Sequence, residues 1–363
     1  MNKPPVWLYP AAFAVALVTS LLAMPVLRRF ALAQGLADSP SERKAHPEPI
    51  ALLGGIGIYA ASGLALWLLV PTAARILKGV FLAGLVILVI GLQDDVAGMD
   101  PWLKLVGQAT AALVLVGFGI GSTLTKVAVI DAALTVVWIV VVVNAMNLSD
   151  NMDGLAAGLA FVACAGYFAL AVSSDQYLVA TLSVVLGGGT LGFLAFNYPP
   201  AKIFMGDAGS HLLGFLLAVM GLLLRFPDVP KPVGLAVPAV VLAVPLLDTA
   251  LVTVSRIRRG VPVTRGGTDH ASHRLVVWGL DRRGAITVLW AAGLLGSIAS
   301  FWAVRIGNSW GLLPLGAYMF LALLGAAWLE VRGAPAGLVF DRTTLPSSGE
   351  AGNEETLGSG AAE

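Results

Sequence analysis

Five short polar stretches carry the residues able to do chemistry in this chain: SERKAHPEP, GLQDDVAG, NAMNLSDNMDG, FNYPPAKIFMGDAGS and TRGGTDHASHRL. Three of them hold the carboxylates Asp94, Asp95, Asp150, Asp153 and Asp207. Side-chain oxygens of Asp and Asn are hard donors that suit Mg2+, a ribose hydroxyl or contacts to uridine. Adjacent Asp94 and Asp95 repel unless a cation or a proton holds them. The pair therefore reads as a general base, a metal site or both, or else as a solvated helix end before a turn at Gly98. Asn144, Asn147, Asp150 and Asp153 recur at steps of three. On a continuing helix that spacing aligns four polar groups along one side; otherwise Asp150 or Asp153 caps the next helix. Asp207 sits between Gly206 and Gly209. It is placed to cap the following helix, or to hold Mg2+ while water and phosphate oxygens complete the shell. Phe204 stacks on a base or simply packs, and Lys202 is a phosphate partner.

The last stretch offers Arg265, His270, His273 and Arg274, all of which donate to phosphate. His270 and His273 are spaced like metal ligands, but zinc wants more nitrogen or sulfur donors than this loop supplies. The one cysteine, Cys164, lies in an apolar run. The first stretch adds Arg43, Lys44 and His46, cations that would equally meet anionic lipid head groups. Hard-oxygen acids opposite a ring of Arg, Lys and His describe phosphoryl transfer, because two phosphates meet only when their charge is neutralised. The absence of a glycine-rich Walker loop argues against an ATP-driven pump.

The elements that must position these groups are apolar. The chain is 58% hydrophobic and 12% charged, where soluble domains carry about 25% charged residues. The template of about 20 apolar residues per crossing finds candidate spans near 6–30, 50–70, 76–92, 102–120, 129–147, 155–172, 177–196, 208–224, 234–254, 285–304 and 310–329. The expected fold is an all-α polytopic membrane protein of about 11 transmembrane helices, forming one integral-membrane domain over residues 1–335. The 6–30 run ends in Arg28-Arg29 and is expected to be retained as a span. Residues 336–363 are rich in Ser, Gly, Thr and Glu and are expected to be disordered. With the N-terminus outside, about 15 of the 22 Lys and Arg residues face the cytoplasm, as the positive-inside rule requires. All five polar stretches then fall on that cytoplasmic face. The net charge of +1 makes no case for nucleic acid.

Taken together, these motifs resemble the polyprenyl-phosphate N-acetylhexosamine-1-phosphate transferases of glycosyltransferase family 4, the superfamily that includes phospho-N-acetylmuramoyl-pentapeptide translocase. The resemblance rests on Arg43-Lys44-x-His46 with Gly54-Gly55, the Asp94-Asp95 pair, NxxNxxDxxDGLAAG, FNxxPAKxFMGDxGS and a final DHxxHRL, over residues 35–280 or so. It implies transfer of a hexosamine-1-phosphate, N-acetylglucosamine foremost, from a UDP-sugar to undecaprenyl or decaprenyl phosphate. UMP is released, and a lipid-linked cell-envelope glycan is begun at the inner (plasma) membrane. It implies Mg2+, with Mn2+ as a substitute, and leaves a homodimer open. It assigns Asp94 as the base acting on the lipid phosphate, with Asp95 close to metal and phosphate. Asp207 is a metal ligand, and Asn144, Asn147, Asp150 and Asp153 contact metal and uridine. Phe204 lies at the uracil pocket, His270, His273 and Arg274 lie at the diphosphate or sugar, and Lys44 and His46 belong to the first loop. The chain departs from the family pattern at Asn151, where glycine is usual, at Ser272, which replaces a histidine, and at Ala51 and Leu52, which replace proline and arginine. Those departures bear on the choice of sugar. The rival expectations are a catalytically silent paralogue that binds nucleotide-sugar or lipid, and a secondary transporter, whose acids would lie near span midpoints.

Overall fold

The computed structural model describes residues 5–38, 49–69, 75–263 and 267–332. Its helices are α1 (Leu8–Ala33), α2 (Gly54–Leu69), α3 (Arg75–Ala97), α4 (Pro101–Gly117), α5 (Ala128–Leu148), α6 (Leu155–Ser173) and α7 (Tyr177–Asn197). They continue with α8 (Gly206–Leu223), α9 (Lys231–Val241), α10 (Ala243–Arg259), α11 (Ala271–Val277), α12 (Arg282–Ile306) and α13 (Leu312–Arg332). Two short strands, β1 (Ala37–Asp38) and β2 (Ile50–Ala51), pair antiparallel between α1 and α2.

The expected helical membrane protein is what forms. Among the described residues, eight helices are long and apolar enough to cross a membrane, or nine if α9 and α10 make one span. The expected spans near 50–70 and 102–120 form helices of 16 and 17 residues, shorter than the usual crossing. The expected span at 234–254 is broken: α9 and α10 meet at 75°. Pro238 within α9 and Pro245 in the first turn of α10 remove backbone donors on either side of the bend. The expected short span at 76–92 instead runs on through Ala97, so Asp94 and Asp95 ride on the last turns of α3.

Helix packing inside a bilayer gains little from burying apolar surface, so close approach at small residues carries much of it. Gly91 on α3 shows the consequence: a Cβ there would fall on the backbone of Ala208 in α8. One turn further along α3, Asp95 is thereby brought against the start of α8. The bundle is most enclosed at α7, where 83% of the span is buried, and least at α13, where the share is 11%. Large apolar side chains such as Trp67, Val89, Trp302, Phe320 and Leu321 remain exposed on the outer surface. So broad an apolar surface suits lipid as its solvent.

Candidate active site

The C-terminal ends of α3, α5 and α7 and the N-terminal ends of α6 and α8 meet at one end of the bundle, around a cleft of about 430 Å³. Asp94, Asp95, Asn147, Asp150, Asp153, Phe204 and Asp207 line it. Residues spread over 114 positions of sequence are thus gathered at one address, because antiparallel neighbouring spans return each motif to the same end. A larger cavity, about 530 Å³, opens at the opposite end of α5 and α8 beside Trp138 and Arg225, and it holds none of the expected site residues.

The start of α8 is the centre of the arrangement. Gly206 has φ +70°, a conformation that side chains disfavour. A Cβ on it would also meet the Asp95 carboxyl group. Without one, the Asp95 carboxylate reaches past Gly206 and accepts the N–H groups of Asp207 (2.7 Å) and Ala208 (3.1 Å). These are among the donors that a helix leaves unpaired at its N-terminus. The cap therefore comes from α3, and Asp207 is left to point its own carboxylate elsewhere. It accepts from Asn147 Nδ2 (3.0 Å) and from Lys104 Nζ (3.2 Å), and the same ammonium pairs with Asp94.

Sequence reasoning did not single out Lys104. Its position follows from local rules: Asp100 caps α4 by accepting from Trp102 N–H (2.8 Å), and Pro101 opens the helix. Lys104 then stands in the first turn, facing both acids. The pair of like charges at Asp94 and Asp207 has its cation.

The NAMNLSDNMDG stretch does not continue as a helix. α5 ends at Leu148, so Asp150 and Asp153 occupy a turn and not the side of a helix. Burial pushes the Asp150 carboxyl well above the usual carboxylate range, and the charges of Asp207, Asp95 and Asp153 push it further. Asp153 caps neither neighbour; its Oδ2 accepts Ala201 N–H (3.0 Å) and ties the turn to the FNYPPAK loop. Asn197 does the same work beside it, accepting Gly154 N–H (2.9 Å) and donating to Ile203 O (3.0 Å). Asn144 lies one helical turn deeper, donates to Gln108 Oε1 (2.7 Å) and is not part of the cleft wall.

The last polar stretch is held from behind. Arg256 binds Asp269 through two hydrogen bonds, Nη2 to Oδ1 at 2.7 Å and Nε to Oδ2 at 3.0 Å, and Arg259 adds a third at 3.1 Å. Burial alone would raise the Asp269 carboxyl, but the hydrogen bonds and charge of Arg256 outweigh it and hold the group below its ordinary value. Arg274, expected at the phosphates, is fully buried. It donates to Asp269 O, Leu329 O and Ser255 Oγ and pairs with Glu330. It organises the loop from within and does not line the cleft. His270 Nδ1 lies 2.8 Å from Asp248 Oδ2. A carboxylate only accepts, so this nitrogen carries the proton and Nε2 is the ring's other face. Asp248 also accepts Ala271 N–H (2.6 Å), a role its sequence context inside an apolar run did not reveal. Burial, then the charge of His270, lowers the His273 pKa, which keeps that ring neutral near pH 7. Neither histidine lines the cleft; Ser272 between them reaches it through Asn151, donating to Oδ1 at 2.6 Å. Lys202 is exposed, outside the cleft wall. Lys44, His46, Arg265 and the 336–363 tail lie outside the described residues.

The donor set fits a hard divalent cation. The polar side chains of the cleft wall are carboxylates and amides, and Asn147 spends its N–H bonds on Asp207 and Ser210, leaving its carbonyl oxygen for a ligand. Among the described residues no three His, Cys, Asp or Glu side chains converge to hold a metal unaided. Mg2+ does not require that, since it commonly takes one or two carboxylates and completes its shell with water and phosphate oxygens.

Fold and site together define a multi-pass membrane protein with an acid-lined cleft at one end of its helices. The sequence profile of glycosyl transferase family 4 matches residues 77–225, which include every carboxylate of that cleft except Asp38. The chain is 33% identical over 290 residues to a Bacillus subtilis protein named "Probable undecaprenyl-phosphate N-acetylglucosaminyl 1-phosphate transferase", covering 77% of this chain and 80% of that one. It is 34% identical over 312 residues to the decaprenyl-phosphate N-acetylglucosaminephosphotransferase of Mycolicibacterium smegmatis, covering 76% and 77%. It is 31% identical over 244 residues to the phospho-N-acetylmuramoyl-pentapeptide-transferase of Heliobacterium modesticaldum, covering 61% and 75%. The chain belongs to glycosyl transferase family 4 and is an enzyme of the transferase class.

Proposed function

We propose that this protein transfers N-acetylglucosamine-1-phosphate from its UDP-sugar to undecaprenyl or decaprenyl phosphate, with Mg2+, at the cytoplasmic face of the plasma membrane. The observation that carries the reading is the meeting of Asp94, Asp95, Asn147, Asp150 and Asp207 in one cleft at a bundle end, where a membrane lipid phosphate and a soluble nucleotide can both arrive. The relatives whose names specify polyprenyl phosphate acceptors support the lipid.

In this scheme an oxygen of the lipid phosphate attacks the sugar-bearing phosphorus of the donor. A new P–O–P bond forms, the bond to the UMP phosphate breaks, and UMP leaves with the electron pair. Asp94 takes the proton of the lipid phosphate when that group arrives protonated. Lys104, already between Asp94 and Asp207, offsets the charge gathered as two phosphates approach. Asp95 keeps the start of α8 in place, so that Asp207 and Asn147 present their oxygens to the cleft. Mg2+ held by Asp207, with Asp150 and Asn147 beside it, would supply Lewis-acid stabilisation of the diphosphate oxygens. Phe204 offers a ring for the uracil base. The product would begin a lipid-linked cell-envelope glycan.

The test is purified protein with polyprenyl phosphate, Mg2+ and a panel of UDP-sugars. UMP release from UDP-N-acetylglucosamine is expected, and no release from any donor overturns the proposal. Asp207→Asn with full activity would overturn the metal assignment alone.

A further inference from the structure

Beneath the acid cleft lies a second polar layer that the proposed chemistry does not use. α4 and α8 both begin at the cleft end, and each packs on both α3 and α5. Lys104 of α4 and Asp207 of α8 join the two helices at the level of the cleft, 3.2 Å apart, with Asn147 of α5 donating to the same Asp207. One turn deeper, the same three helices each supply another polar side chain: Gln108 on α4, Asn144 on α5 and His211 on α8. Gln108 is 1% exposed and His211 2%. Deeper still the same faces turn apolar, with Ala111 and Leu115 on α4 and Ala218 on α8.

The hydrogen bonds of this layer fix which atoms are donors. Asn144 Nδ2 donates to Val140 O at 2.8 Å and to Gln108 at 2.7 Å. A backbone carbonyl only accepts, so the Asn144 atom is the nitrogen and the Gln108 atom facing it is the oxygen. The other end of the Gln108 amide, Nε2, is therefore a donor, and among the described residues no acceptor meets it. His211 Nδ1 is also buried without a partner among them. In the neutral tautomer with its proton on Nε2, Nδ1 is an acceptor. One layer thus holds a donor lacking an acceptor and an acceptor lacking a donor. Buried polar groups left unpaired are costly, and an ionisable side chain inside a span calls for a named partner. A water accepts from the first and donates to the second, which is how buried waters satisfy such groups.

Resting on the function proposed above, we propose that Gln108 and His211 hold one buried water between them, and that this link sets the depth at which Lys104 and Asp207 stand under the reacting phosphates. The Lys104–Asp207 contact alone is made by an ammonium on a flexible stem, which leaves α4 free to shift along its axis against α8. A second link one turn away removes that freedom. Gln108 and His211 are positioning residues, and neither lines the cleft.

The experiment compares the full chain in detergent with His211→Leu, Gln108→Leu, the double variant, and His211→Asn, whose amide oxygen can stand where Nδ1 stood. Thermal unfolding comes first because it needs no turnover. His211→Leu is expected to lower the unfolding temperature by about 2–6 °C, and His211→Asn to recover at least half of that loss. In the Gln108→Leu background, His211→Leu is expected to cost little more, because the partner of the water is already gone. UMP release is then followed against Mg2+ concentration. His211→Leu is expected to move the half-maximal Mg2+ concentration by about 3- to 10-fold, in the same direction as Lys104→Met, and His211→Asn to reverse the change. Additive losses of unfolding temperature in the double variant overturn the water link. A lowered unfolding temperature with an unaltered Mg2+ titration overturns the positioning role. Wild-type protein that releases no UMP overturns the proposed reaction; the link is then decided by the unfolding comparison, where additive losses overturn it.

Discussion

Asp95→Asn separates holding a helix from handling a substrate. The Asp95 carboxylate accepts Asp207 N–H at 2.7 Å and Ala208 N–H at 3.1 Å, two donors that open α8. Hydrogen bonds to a charged acceptor contribute about 1.5–3 kcal/mol each. A negative charge at a helix N-terminus adds about 0.3–1 kcal/mol. The amide keeps one acceptor oxygen, turns an N–H toward the other donor and loses the charge. Those changes amount to a loss of about 2–4 kcal/mol. At roughly 2 °C per kcal/mol for a chain of this size, the unfolding temperature falls by about 4–8 °C. Tryptophan fluorescence of the purified protein in detergent reads it. Asp153→Asn, which weakens a single bond to Ala201 N–H, is the control and should shift less than half as far. Turnover should fall with Asp95→Asn because Asp207 rides on the displaced turn. Lost turnover with unfolding at the wild-type temperature would refute this account, since Asp95 would then act on the substrate and not through α8.

Gly206→Ala forces a side chain into φ +70°, at about 1–2 kcal/mol, and places its Cβ 2.8 Å from Asp95 Cγ. UMP release should drop about tenfold or more, whereas Gly98→Ala, at φ +68° in open space, should retain it. Lys104→Met leaves Asp94 and Asp207 without their shared cation; the Mg2+ concentration for half-maximal rate should change, and an unaltered Mg2+ titration would count against Lys104 as the countercharge. Asp269 is held below its ordinary value, so its contribution to stability is complete above the unfolded carboxyl pKa of about 3.9 and is lost as pH falls through the lower folded value. Hydrogen exchange over residues 255–263 and 267–275 should accelerate in that acid range, and Asp269→Asn should remove this part of the pH dependence.

Much of the site was legible because its residues are costly where they stand. A carboxylate or amide next to an apolar span needs a partner or a purpose, and Asp94, Asp95, Asn147, Asp150, Asp153 and Asp207 all proved to share one cleft. Helices were legible from length and hydropathy. The break inside one expected span was not, because neighbours decide where a proline bend falls: α9 and α10 turn through 75°. Lys104 and Asp248 were missed for another reason. Each is a lone polar residue paired with a distant segment, Asp207 for Lys104 and His270 for Asp248, and no local spacing announces such a pair. Asn197 stood inside a quoted motif, but its bonds to Gly154 and Ile203 form only once α7 meets the turn before α6. Arg274 misled in the opposite direction, since a cation in a phosphate-like motif looks the same whether it points outward or, as here, inward to Asp269 O and Ser255.

What the sequence alone determined is the helical membrane character, the set of acids and the shared end at which alternating spans return them. These depend on hydropathy and on chain direction, which are local or additive properties. Tertiary structure decided which acid does which work. Asp95 caps α8 because Gly91 lets α3 approach it and Gly206 has no Cβ in the way; Asp207 is free for the cleft because that cap comes from elsewhere; Asn151 meets Ser272 because α11 is pinned from behind. Each of these is a contact between distant segments, set by packing at ångström scale, and the order of residues carries no direct record of it.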